Sequence, residues 1–149
     1  MMIQTLVAFV ATISFSILFS VPRNQYIYCG ITGAIGWLCY LLMVSFDFST
    51  VFSTFVAAIV LTIFSRLFAI RRRVPVTVFL ITGIFPLVPG AGIYYTSYYL
   101  FMNQPEFATS KGIETIKIAV VIALGIMSIF AIPQKLFKFG TSISHHGNK

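Results

Sequence analysis

Apolar residues fall into five long runs separated by short polar breaks, and that alternation predicts the architecture. The runs cover residues 3–21, 26–46, 50–70, 76–101 and 113–132. At ~1.5 Å per helical residue, each approaches or exceeds the ~30 Å of a bilayer's hydrocarbon core. The breaks hold the groups that belong in water or headgroups. Pro22, Arg23, Asn24 and Gln25 form the first; Asp47, Phe48 and Ser49 the second; Arg71, Arg72 and Arg73 the third. A polar loop from Asn103 through Gly112 is expected before the last run, which Pro133 ends. The expected fold is therefore an all-α integral membrane protein of about five transmembrane helices. Residues 1–133 form one transmembrane domain and residues 134–149 a basic tail. The first run has no basic flank before it and no small-residue cleavage site, so it reads as a retained span.

The fourth run breaks the pattern from inside. It has 26 residues without a charge, more than a straight crossing requires, and Gly83, Pro86, Pro89, Gly90 and Gly92 fall within ten of them. Each proline removes a backbone donor, so in a continuous helix the carbonyls of Thr82 and Phe85 would lose their partners. Phe85 and Val88, each preceding a proline, are expected to leave helical dihedrals. A helix broken at membrane depth persists only where protein or a water-filled cavity satisfies the freed groups. Transporters build substrate and ion sites from such half-helix ends. A proline kink serving packing alone is the other reading, since Pro and Gly are ordinarily common in membrane helices. On the first reading Gly83, Pro86, Pro89, Gly90, Gly92 and Tyr94 are candidates for a substrate path. Tyr98 and Tyr99 fit an interfacial aromatic belt.

Composition agrees with the runs. Of the 149 residues, 58% are hydrophobic and 9% charged, against about 25% charged in a soluble domain. The net charge of +7 follows from topology and does not imply nucleic-acid binding. With the tail inside, Arg23, Arg66, Arg71, Arg72, Arg73, Lys135, Lys138 and Lys149 lie on the cytoplasmic side. Lys111, Lys117 and the three acidic residues, Asp47, Glu106 and Glu114, lie on the other. That asymmetry predicts an outside N-terminus and a cytoplasmic C-terminus in the cell membrane.

The second run carries Gly30, Gly33 and Gly36 at spacings that let helices approach closely, so they are expected to serve helix packing. Cys29 and Cys39 lie ten residues apart on one predicted helix and cannot pair there. No catalytic triad, carboxylate pair, phosphate loop or metal spacing is placed near a span, so neither an enzyme nor a cofactor or metal site is expected. His145 and His146 sit in the tail. Arg66 is the ionisable residue nearest the membrane interior. It either snorkels to the surface beside Arg71 or meets a carboxylate of a substrate or partner. No carboxylate falls at the midplane, so proton coupling would need a group from another subunit.

Several of these residues together resemble the small five-span component of the threonine/serine exporter family. The resemblance runs from about Phe19 to Tyr99. It rests on Val21-Pro22, on Cys29 with Gly33 and Gly36, on Ser65-Arg66, and above all on Pro86-Leu87-Val88-Pro89-Gly90 followed by Gly92 and Tyr94. It implies export of small hydrophilic metabolites, threonine and serine in some members and succinate-like dicarboxylates in others. It also implies a larger partner subunit that supplies the complementary transmembrane half. A structural subunit that stabilises a transporting partner and a small pore-former are the competing readings, and a homo-oligomer is compatible with each. A pore-former rarely needs a central helix interrupted by Pro and Gly.

Overall fold

Each apolar run has no backbone partner but itself in lipid, so helix is the only local solution. In the computed structural model, which describes residues 1–133, six α-helices result. They are α1 (Met2–Leu18), α2 (Tyr26–Ser45), α3 (Thr50–Arg72), α4 (Val76–Ile84), α5 (Gly90–Phe101) and α6 (Pro105–Phe130). Short 3-10 segments, Arg23–Gln25 and Phe85–Leu87, lead into α2 and extend α4. The described residues are all-helical, as expected from the sequence. Residues 134–149, with His145 and His146, lie outside the described residues.

Three helices are long and apolar enough to cross a membrane: Arg23–Ser45, Thr50–Arg72 and Pro105–Phe130. Val76–Leu87 with Gly90–Phe101 makes a fourth crossing if the pair, bent by 48°, is one span. Met2–Leu18 is a shorter apolar helix of 17 residues.

Four of the helices stop by one device, and none uses glycine for it. Ser20, Asp47, Arg73 and Asn103 take positive φ of 54°, 60°, 55° and 55°. The next amide then reaches back five residues: Val21 to Ser16, Phe48 to Met43, Val74 to Ala69 and Gln104 to Tyr99, at 2.9–3.3 Å. This is the Schellman closure, which satisfies a terminal carbonyl and ends the helix. Proline stands two residues beyond at positions 22, 75 and 105, where it blocks any continuation.

The helices pack as neighbours in sequence, α1 on α2 and α2 on α3, with α4 against α2 and α3 and α6 against α3. One buried cluster, Val21, Cys29, Ala69 and Phe79, lies toward the arginine-bearing end. A second, Ala57, Leu61, Leu87 and Ile122, holds the middle. At the arginine end, Arg72 Nε donates to Gln25 Oε1 at 3.1 Å and its guanidinium lies 4.7 Å over the Tyr28 ring. By contrast α5 packs chiefly on α6 and has no buried residue.

One boundary needs correcting. The polar stretch 103–112, expected as a loop, is helical from Pro105 onward, eight residues before the expected start of the last span at 113. Pro105 lies within the first two positions of α6, where its fixed φ suits a helix and its missing donor costs nothing. The polar residues from Pro105 to Gly112 are a helical extension ahead of the apolar run.

Candidate functional site

Around the break the chain leaves helical geometry at only two residues. Val88 is extended (φ −60°, ψ 130°) and Pro89 follows at φ −76°, ψ 57°. Phe85, expected to be displaced by Pro86, stays helical at φ −52°, ψ −41°. Pro86 is absorbed by tightening Phe85–Leu87 into a 3-10 turn, so the second proline carries the break. Val88 N–H is shared between the carbonyls of Ile84 and Phe85, both at 3.2 Å. Beyond it, Gly90 N–H turns onto Val88 O at 2.7 Å and Ile93 N–H reaches Pro89 O at 3.1 Å. No side chain caps α5, so its first turn, with the amides of Ala91 and Gly92, begins bare. Leu87 is buried in the central cluster, while Val88, Gly90 and Ala91 are exposed.

The glycines of this segment divide by surroundings. A Cβ on Gly83 would come within 3.1 Å of Thr32 Cγ2, and one on Gly92 would collide with Thr115 Oγ1. Those two positions hold α4 against α2 and α5 against α6. A Cβ on Gly90 would meet nothing within 4 Å. In the second helix, Gly30, Gly33 and Gly36 face neighbours directly. Their added Cβ atoms would strike Phe9 (2.7 Å), Thr12 and Leu61 (2.8 Å).

Two cavities lie along α1 and the turn after it, and only the first touches the segment of the break, at Phe85 and Pro86. One of about 380 Å³ is bordered by Gln4, Ala8, Ala11 and Phe15 of α1, by Trp37, and by Phe85 and Pro86. The other, about 260 Å³, opens toward the arginine end between Phe19, Ser20, Thr77 and Thr82. Between them Phe85 stacks on Phe15 (centroids 4.0 Å apart, 16° between planes) and leans on Phe19 at 5.5 Å. Trp37, at the wall of the larger cavity, buries its indole N–H with no acceptor among the described residues. Sequence reading singled out neither Gln4 nor Trp37. The available signal was a lone tryptophan inside a span, one residue after Gly36, where a ring N–H needs an acceptor.

Arg66 is buried at 5% exposure. Its Nη1 donates to the carbonyls of Ile129 and Ile132, the latter at 2.9 Å, and its guanidinium lies 5.6 Å from the Phe130 ring centre. It therefore closes the carbonyl end of α6, where a cation also favours the helix dipole. It borders a separate crevice of about 240 Å³ with Val74, Pro75 and Val76, away from the break. Tyr94 is exposed on α5, stacked with Tyr98 at 6.3 Å and edge-on to Tyr95 at 5.3 Å. Thus Pro86, Pro89 and Gly90 gather at the break, Gly83 and Gly92 pack its two flanks, and Arg66 stands elsewhere. Among the described residues no group of three His, Cys, Asp or Glu could hold a metal. Cys29 and Cys39 are free.

An apolar helical bundle with a broken helix, a half-helix with an uncapped start and a cavity at Phe85 and Pro86 belongs with membrane transporters. The chain belongs to the threonine/serine exporter family: residues 4–132 match the family model described as Threonine/Serine exporter, ThrE. No curated protein and no solved structure matches it.

Proposed function

We propose that this chain is the membrane subunit of a secondary exporter for small hydrophilic metabolites of the threonine and serine kind, working with a larger partner subunit. The break at Val88–Pro89 supports this reading most directly. It leaves the first turn of α5 uncapped, beside residues that are exposed in this chain. Bare amides at a helix N-terminus attract a carboxylate through their donors and the helix dipole. The exported amino acid presents its carboxylate to Ala91 and Gly92 N–H, and the path passes Pro86, Pro89 and Gly90. Transport is alternating access around this point, with the cavities flanking Phe85 as its two approaches. The partner covers the open side of α5 and supplies the proton-carrying group. On this reading the chain crosses the cell membrane five times, and the clustering of Arg23, Arg66, Arg71, Arg72 and Arg73 at one end supports a cytoplasmic arginine end and an outside N-terminus. A succinate-like dicarboxylate would meet the same amides, so cargo is decided by direct comparison.

Gly90 makes the test clean because a Cβ added there meets nothing within 4 Å in this chain. Gly90→Leu, co-expressed with the partner, should leave yield and melting temperature unchanged while efflux of preloaded labelled threonine falls at least tenfold. Normal efflux from a correctly assembled Gly90→Leu complex would remove the break from the path and leave a scaffolding subunit.

A further inference from the structure

Lys117 stands half-way along α6, twelve residues from Pro105 and thirteen from Phe130. At ~1.5 Å per residue it lies roughly 20 Å from the helix end that meets Arg66 and about 6 Å inside the apolar run that begins at Ile113. Packing against α5 fixes its level independently. Gly92 faces Thr115 and Gly112 faces Thr96, so the antiparallel register sets Lys117 level with Gly90 and the break.

The side chain is exposed and belongs to a seam. Ile113, Lys117, Val120, Leu124 and Met127 are all exposed on α6 and recur at the 4-3-4-3 spacing of a knobs-into-holes contact. The four apolar members suit either lipid or a helix. An ammonium does not suit lipid: charged residues within membranes almost always face a bundle interior or pair with an opposite charge. A single charged position within such a seam also fixes the register of the partner.

The nearest carboxylate of this chain, Glu114, stands one helical turn from Lys117 and is engaged by Lys111. Asp47 is in the turn between α2 and α3, Glu106 is in the first turn of α6, and Glu114 is bridged to Lys111 at 2.9 Å. A second copy packed on the seam would bring another Lys117 to the same depth, like charge against like. We infer that this face of α6 is the docking surface for a transmembrane helix of a different chain, carrying an aspartate or glutamate level with Gly90. The inference rests on the two-component reading above and adds to it the face and the chemistry of the contact. It places a carboxylate of the assembly beside the break, where this chain's nearest acid, Glu114, is already bridged to Lys111.

The test uses the chain co-expressed with the larger exporter subunit. Lys117→Ala, Lys117→Glu and Lys117→Arg are compared for recovery of that subunit, and a photo-cross-linking amino acid replaces Val120. Recovery should be kept by Lys117→Arg and fall at least tenfold in Lys117→Glu. It should return when an intramembrane carboxylate of the partner is exchanged for lysine. Position 120 should cross-link to the larger subunit. Unchanged recovery with Lys117→Glu, showing a lysine that only snorkels, overturns the inference, as does a position-120 cross-link between two copies of this chain. Either result leaves the two-component reading standing. A wild-type chain that neither co-purifies with nor cross-links to the larger subunit overturns that reading and the inference together.

Discussion

At Gly33 the hydroxyl of Thr12 occupies the space where a side chain would begin. Thr12 Oγ1 is itself bonded to Ala8 O at 2.8 Å, so it is satisfied within α1 and free to lie against α2. Ser16, Thr32, Thr62, Ser65 and Thr82 repeat this, each buried and bonded to the carbonyl four residues earlier. Small, internally satisfied residues let membrane helices approach closely. Gly33→Val should therefore destabilise the α1–α2 contact by about 1–3 kcal/mol or more, read as a lower melting temperature in detergent. Arg66→Gln removes a charged donor from the end of α6 and should cost about 1.5–3 kcal/mol, with efflux per folded molecule preserved. An efflux loss in stably folded Arg66→Lys would instead place Arg66 in the substrate's path. The sequence made Gly30, Gly33 and Gly36 legible through their spacing. It hid the Arg66 contact, because nothing local to residue 66 shows that the end of α6 arrives beside it.

At the level of elements, the most informative stretch was legible from its prolines and glycines, but its geometry was not. Both prolines looked equivalent in the sequence, yet only Val88–Pro89 leaves the helix, since Pro86 fits inside a 3-10 turn. Pro89→Ala should therefore perturb export more than Pro86→Ala. Equal losses in folded complexes would show that the 3-10 turn matters as much as the extended pair. The start of α6 was misplaced because polarity reports contact with water, and a helix can continue beyond the membrane. The closures at Ser20, Asp47, Arg73 and Asn103 were hidden for a related reason, since glycine is the usual signal there. A non-glycine residue in this conformation costs about 1 kcal/mol, so Ser20→Gly should raise the melting temperature slightly.

For the whole molecule, the sequence disclosed the environment through composition and the charge asymmetry of its ends. It could not show which faces remain open, because that depends on how the helices arrange themselves. α5 rests chiefly on α6 with no residue buried, and the seam of Ile113, Val120, Leu124 and Met127 faces outward around Lys117. The central claim is that this chain is one half of an exporter whose path runs past the broken helix. Efflux of preloaded labelled threonine, serine and succinate is to be measured in cells lacking this chain and the proposed larger subunit, with each restored alone and then both. Efflux of threonine or serine is expected only when both are present. Efflux by this chain alone would contradict the two-component claim, and no efflux of any of the three with both expressed and assembled would contradict the assignment as an amino-acid exporter subunit.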